Sequence, residues 1–276
     1  MLIDGREIAD QIEYRVIKEI KTLSAKPHLA VVLVGDDSAS RIYVHRKEEA
    51  ARRVGIDFFL HELSANTSQE EVMKLVRALN ADPQVNGIIV QLPLPEGFDE
   101  AVVLDCVSLN KDVDGISSRN LACLPFGTSI FVPATAAAVL EVLRSQKIKI
   151  IGSHAVVVGG GRVAGLPVAL SLLGEGATIT ICADKTKNLG ELTRGADILV
   201  SAVGRASLIK LAMVKRGVAV LDVGITRKEN KLCGDVDPVV ERAARFITPV
   251  PGGIGPVTVA KLLENTLKAW RLQNIH

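Results

Sequence analysis

Aromatic residues make up only 3% of this 276-residue chain, and that scarcity removes the stacking platforms on which single-stranded nucleic acids bind. A surplus of one charge is missing too. Lys plus Arg number 33 against 31 for Asp plus Glu, a formal net charge of +2, which is no electrostatic footprint for a polyanion. Nucleic acid is therefore excluded as a main partner. Apolar runs approaching ~20 residues are absent, so no segment reads as a membrane-spanning helix. The four cysteines, Cys106, Cys123, Cys182 and Cys233, form no C-x-x-C pair, which suits reduced thiols rather than a disulfide frame or a zinc site. Met1-Leu2-Ile3-Asp4-Gly5-Arg6 carries charge at once and lacks the apolar stretch of a signal peptide, so a cytoplasmic location is expected.

What is present is a 48% hydrophobic, 23% charged composition, enough for a real core under an ordinary surface and incompatible with intrinsic disorder. The length allows one large or two ordinary domains. Ile8, Ile12, Val16, Ile20 and Leu23 recur at helical spacing, and Pro27 then breaks the pattern. Leu29 to Val34 is a continuous apolar run, as in a strand buried on both faces of a parallel sheet. Ser38 or Ser40 is placed to cap a helix to about Val54 with Gly55 as its stop, and Ser68-Gln69-Glu70-Glu71 has capping-box form. Further strands read at 56–60 and 87–90, then at 154–158, 177–182, 198–201 and 218–222, with helices at 135–144 and from Val257 to about Leu272. The stretch 110–133 reads as a connector or site loop. Strands alternating with helices imply right-handed βαβ units, and two α/β domains flanking a cleft, the second a Rossmann-type doubly wound parallel sheet, is the economical arrangement.

Val156-Val157-Val158-Gly159-Gly160-Gly161-Arg162-Val163-Ala164-Gly165 is a strand, a glycine turn and a helix start of the form G-x-G-x-x-A. Glycines there let the backbone approach a pyrophosphate whose charge meets the N–H groups of the helix N-terminus. Asp184, about 20 residues on, stands where an acid would bind the ribose hydroxyls of NAD, or is a solvated turn residue beside Lys185. Tyr43 and Lys47 share a helix face at i, i+4, either as a partly desolvated proton-exchanging pair or as ordinary surface residues beside Glu48 and Glu49. Gln91 ends an apolar strand before Leu92-Pro93-Leu94-Pro95, at the carboxyl edge where ligands of open α/β sheets collect. In Lys111-Asp112-Val113-Asp114-Gly115 either aspartate suits the N–H groups of a heterocycle, and an Asx-turn explains the run equally well. Thr248 to Pro256 packs three prolines and three glycines into nine residues and reads as a rigid binding loop.

Four of these runs, in this order, resemble the bifunctional methylenetetrahydrofolate dehydrogenase/cyclohydrolase family over essentially the whole chain: Tyr43-Val44-His45-Arg46-Lys47, Gly87 to Pro95, Lys111 to Gly115, and Pro251-Gly252-Gly253-Ile254-Gly255-Pro256-Val257-Thr258. The resemblance implies a folate-binding catalytic domain at 1–133, completed by a C-terminal helix at 257–276, and a Rossmann dinucleotide-binding domain at 134–256. It implies oxidation of 5,10-methylenetetrahydrofolate to the methenyl compound with NAD(P), then hydrolysis to 10-formyltetrahydrofolate, within the one-carbon supply to purine, methionine and histidine biosynthesis. Lys47 becomes the catalytic lysine, supported by Gln91 and by Tyr43 against the folate. Asp114 holds the pterin, and Ser40, Pro251, Gly252 and Gly253 shape the substrate pocket. Gly159, Gly160, Gly161, Asp184 and Ile225 meet the cofactor. No metal is implied, since the substrate is already an electrophilic iminium ion, and a homodimer through the nucleotide-binding domains is expected.

The departures from the family pattern gather in the cofactor domain. Gly160-Gly161 replaces Arg-Ser or Ala-Ser, and Ala183-Asp184 replaces the usual His with a polar residue. Many members use NADP, the family expectation here; an aspartate would repel its 2′-phosphate and favour NAD, while Arg162, Lys185 and Lys187 are nearby cations. Pro133-Ala134-Thr135-Ala136 stands for Pro-Cys-Thr-Pro, so altered packing is expected there. A short-chain dehydrogenase also uses Tyr-x-x-x-Lys with a Rossmann turn, but there the pair follows the turn, whereas Tyr43 and Lys47 precede Gly159. The competing readings are a cyclohydrolase with weakened dehydrogenase activity and a non-catalytic folate- or nucleotide-binding module.

Overall fold

The computed structural model describes residues 1–228 and 231–274. The chain divides into two compact units. The first comprises Gln11–Ala122, Ile130–Ala134 and Val259–His276, and the second Met1–Asp10, Cys123–Ser129 and Thr135–Thr258. The last two residues of the expected 257–276 helix lie outside the described residues. Among the described residues, no helix is long and apolar enough to cross a membrane.

α1 (Gly5–Ile20) begins in the second unit and belongs to the first from Gln11 onward; the first unit continues with β1 (His28–Val34), α2 (Ser38–Val54), β2 (Asp57–Leu63), α3 (Gln69–Ala81) and β3 (Gly87–Val90). The three strands form a parallel sheet in the order β2-β1-β3. Leu29 to Val34 are all buried, as a central strand covered on both faces requires. Asp37, rather than Ser38 or Ser40, caps α2: its carboxylate accepts from the Ser40 N–H, and Gly55 ends the helix at φ 93°. Both reciprocal bonds of the Ser68–Glu71 capping box are present at α3. Beyond β3 come the short helices α4 (Glu100–Asp105) and α5 (Ser118–Cys123), the latter inside the stretch expected to be a loop.

The second unit continues with α6 (Ala134–Ser145), β4 (His154–Val158), α7 (Gly165–Gly174), β5 (Thr178–Cys182), α8 (Leu189–Arg194), β6 (Ile198–Ser201) and β7 (Ala219–Asp222). A hairpin, β8 (Thr226–Lys228) with β9 (Lys231–Cys233), and a two-residue strand, β10 (Phe246–Ile247), were not apparent from periodicity. Five strands form a parallel sheet ordered β10-β7-β6-β4-β5. The order reverses at β4, whose successors lie to either side of it, so the end of β4 is the switch point where open α/β sheets take their ligands. Val156, Val158, Leu199 and Val220 build the core of this sheet. The final helix, α9 (Ile254–Asn274), belongs to the first unit from Val259 onward. There Asn265 donates to the Val113 and Val132 carbonyls.

Candidate active site

On the first unit, one face of α2 carries Ser40, Tyr43 and Lys47, the C-terminal end of β3 leads into Gln91, and the run beside β3 carries Asp114, five of the expected residues. Lys47 Nζ donates to Gln91 Oε1 at 3.0 Å. The Gln91 side chain is itself oriented, because its Nε2 donates to the Leu92 carbonyl at 2.7 Å. Ser40 Oγ, buried, donates to that same carbonyl at 3.4 Å, so Leu92 is the hub tying α2 to the loop after β3. No sequence pattern pointed to a backbone carbonyl in this role. The Leu92–Pro93 peptide is cis.

The electrostatics are those of a desolvated pair. Burial lowers the pKa of the Lys47 ammonium, partly countered by the Asp114 carboxylate. Burial raises Asp114, with Asp112 pushing the same way and Lys47 opposing. Tyr43, half-buried one helical turn before Lys47, also has its phenol raised by burial. A lysine held this way has a larger neutral fraction near pH 7 than a solvated one and can exchange a proton with a bound molecule.

The two aspartates of the Lys111-Asp112-Val113-Asp114-Gly115 run divide the alternatives between them. Asp112 is scaffold: it accepts from Gly115 N, Ser117 N and Asn120 Nδ2, the Asx-type arrangement. Asp114 stays in the field of Lys47. Lys111 is buried and donates to the Leu79 and Asp82 carbonyls, closing the C-terminal end of α3. Ile88 N donates to the Lys111 carbonyl, so the run lies beside β3.

The remaining expected residues lie on the second unit. Gly159 follows β4 at φ 103°, where a Cβ would stand 2.4 Å from the Ala202 carbonyl oxygen. The close helix–strand approach of a dinucleotide turn belongs to Gly165 rather than to the Ala164 of the pattern, since a Cβ at Gly165 would fall 1.8 Å from Gly159 O. Gly160 and Gly161 have open space: the nearest atom to a Cβ at Gly160 is Ile181 Cγ2 at 3.7 Å, and at Gly161 nothing lies within 4 Å. This backbone cradle fits a pyrophosphate. Asp184, just past β5, is exposed, as are Lys185 and Lys187, and Ile225 is exposed after β7. Pro251 is exposed and follows a second cis peptide. Gly252 has φ 104° and its carbonyl accepts from Gly5 N. Gly253 is buried against Thr248 and Pro249, and a Cβ at Gly5 would meet its carbonyl at 1.7 Å.

Known proteins share this sequence pattern and fold. Residues 3–114 match the family model for the tetrahydrofolate dehydrogenase/cyclohydrolase catalytic domain, and residues 133–274 the model for the NAD(P)-binding domain of the same family. The chain is 45% identical over 274 residues to the bifunctional protein FolD of Halalkalibacterium halodurans, covering 98% of each. It is similar to the crystal structure of the bifunctional enzyme FolD, a methylenetetrahydrofolate dehydrogenase/cyclohydrolase, from Campylobacter jejuni, with TM-score 0.95, 40% identity and 99% of both chains covered. A second neighbour is the Trypanosoma brucei methylenetetrahydrofolate dehydrogenase-cyclohydrolase complexed with NADP and an inhibitor, with TM-score 0.95, 37% identity, and 100% of this chain and 99% of that one covered.

Proposed function

Because the chain belongs to the tetrahydrofolate dehydrogenase/cyclohydrolase family, we propose that it oxidises 5,10-methylenetetrahydrofolate to 5,10-methenyltetrahydrofolate with NAD(P) and hydrolyses the product to 10-formyltetrahydrofolate. The observation that carries this reading is the desolvated Lys47 held 3.0 Å from Gln91 at the end of β3. The first unit is the folate domain, completed by α9, and the second is the nucleotide domain.

Lys47 moves the protons of the hydrolytic step. Its depressed pKa lets it take a proton from the attacking water and return it, and the oriented carboxamide of Gln91 fixes where Nζ stands. Tyr43 offers an aromatic face one turn from Nζ for the folate to stack on. Asp114 accepts from the N–H groups of the pterin. Ser40 is a substrate-binding residue of the first unit, and Pro251, Gly252 and Gly253 are substrate-binding residues of the second. The nucleotide, when bound, supplies the hydride acceptor. Gly159 to Gly161 would hold its pyrophosphate, and Ile225 would lie beside it. NADP is the leading cofactor, supported by the NADP complex of the similar Trypanosoma brucei enzyme. NAD is the second reading, favoured by the exposed carboxylate of Asp184 where a 2′-phosphate would lie. A cytoplasmic homodimer acting on tetrahydrofolate one-carbon derivatives completes the proposal.

The test is the initial rate with methylenetetrahydrofolate and each nucleotide, followed by ultraviolet absorbance, together with hydrolysis of methenyltetrahydrofolate. Reduction of one nucleotide at an enzymatic rate is expected, and Lys47→Met should lose hydrolysis while keeping its circular dichroism spectrum. Full hydrolysis by that folded variant would sink the role given to Lys47. No nucleotide reduction by the unmutated chain would sink the dehydrogenase.

A further inference from the structure

A pair of buried aspartates lies outside every residue assigned above. Asp235 is completely buried and Asp222 nearly so. Asp222 ends β7 in the last rung of the sheet, opposite Ser201 of β6, which in turn pairs with Val158, the residue before Gly159. Asp222 is therefore level with the glycine turn, and Asp235 reaches the same rung through the Ser201 hydroxyl.

The hydrogen bonds of the two carboxylates run to loop backbone or to that rung. Asp222 accepts from the N–H groups of Asp235 at 3.0 Å and Val236 at 2.9 Å, so its carboxylate seats the chain that carries Asp235. Thr248 Oγ1 accepts from Asp222 N at 2.8 Å. Asp235 Oδ2 accepts from Ser201 Oγ at 2.8 Å and Val203 N at 2.7 Å, and Oδ1 from Arg205 N at 2.6 Å. Two glycines make room. A Cβ at Gly234 would stand 1.9 Å from Asp222 Oδ2, and one at Gly224 would stand 2.1 Å from Asp235 Cγ. The loop so held runs 202–205, and the Ala202 carbonyl is the atom pressed against Gly159. Thr226 donates to the Gly204 carbonyl and joins this loop to the segment containing Ile225.

We propose that Asp235, seated by Asp222, is a positioning residue for nucleotide binding: it fixes the 202–205 backbone as the wall against which the Gly159 turn is set. The inference rests on the reading that the Gly159 turn binds NAD(P). A fully buried carboxylate with three donors, all on the β6 strand end and its loop, is more than a sheet needs for its own closure. β6 and β7 already pair in register from Ile198 opposite Ala219 to Ser201 opposite Asp222, and Asp235 is in none of these pairs.

The test uses the full chain and titrates NADP and NAD by calorimetry, with KM and kcat of the dehydrogenase alongside. Asp235→Asn keeps the shape but turns one oxygen into a donor facing a backbone N–H, and the nucleotide Kd and KM should rise about tenfold. Ser201→Ala removes one donor only and should weaken nucleotide binding about threefold. The nucleotide KM should carry the effect, with kcat at saturation within about twofold. A purely structural role would lower the thermal midpoint and leave nucleotide Kd unmoved, which would overturn the proposal. If Asp235→Asn does not fold, Ser201→Ala decides: unchanged Kd overturns. No measurable nucleotide affinity in the unmutated chain would instead refute the reading of the glycine turn.

Discussion

Asp222 ties the stability of the second unit to pH in a direction opposite to most carboxylates. Burial pushes its pKa up to about 7, helped by the charge of Asp235 and opposed by backbone N–H groups of Val236, Asp235 and Gly224. An unfolded aspartate titrates near 3.9. The folded chain thus holds this proton more tightly, so the contribution is fully present below about pH 4 and is lost as pH rises through 7. Roughly three units at about 1.4 kcal/mol each give a loss of about 4 kcal/mol. Urea unfolding of the unmutated chain and of Asp222→Asn, at pH values from 4 to 8, isolates it. Other carboxylates run the opposite way, Asp37, Asp197 and Asp237 among them being lowered by their hydrogen bonds, but they titrate in both proteins. The unmutated chain should lose about 4 kcal/mol relative to the variant between pH 4 and pH 8. Stability curves that stay parallel within about 1 kcal/mol would refute the argument.

Two further outcomes follow from the glycine turn and the strand beside it. Gly159→Ala sets a Cβ 2.4 Å from the Ala202 oxygen at φ 103°, and left-handed strain plus overlap should cost roughly 3 kcal/mol in urea unfolding. Gly161→Ala meets nothing within 4 Å and should stay within about 0.5 kcal/mol; equal effects at the two sites would contradict the packing described. Asp184→Ser should shift the ratio of kcat/KM for NADP over NAD upward by roughly fivefold, the worth of one exposed charge contact. An unchanged ratio would mean that this carboxylate does not reach the ribose.

Features written in adjacent residues were the ones visible in the sequence. The capping box of α3, the apolar run of β1 and the glycine stop of α2 each depend on neighbours within a few positions, and all three stand as expected. The cap of α2 falls on Asp37 rather than on the expected Ser38 or Ser40 because Asp37 and two serines compete locally, and the hydroxyl of Ser40 is engaged elsewhere, at Leu92. Short elements such as α5 and β10 carry too few residues for a period to register. In the candidate site, Lys47 and Gln91 were legible as types in suggestive positions, but not that they touch. Spacing alone does not separate Asp112 from Asp114, which only the family resemblance singles out, since what divides them is that Asn120 takes one and the field of Lys47 the other. Asp222 and Asp235 are isolated acids in the sequence and acquire meaning only when the chain folds Asp235 against Ser201, the rung partner of Asp222.

The Lys111 to Gly115 run has a consequence for binding energetics. Lys111 is clamped to the end of α3, Asp112 to Asn120, and the Val113 carbonyl to Asn265 of α9, while Gly87 leaves just enough room for the Val113 methyls. Asp114 is therefore delivered by a span immobilised on three sides before any ligand arrives. The entropy of ordering that span is charged to folding, so an arriving ligand meets a preorganised acceptor and keeps more of its contact energy as affinity. Loosening an anchor such as Asn265, which touches no proposed ligand, would then weaken binding by restoring motion to the carboxylate.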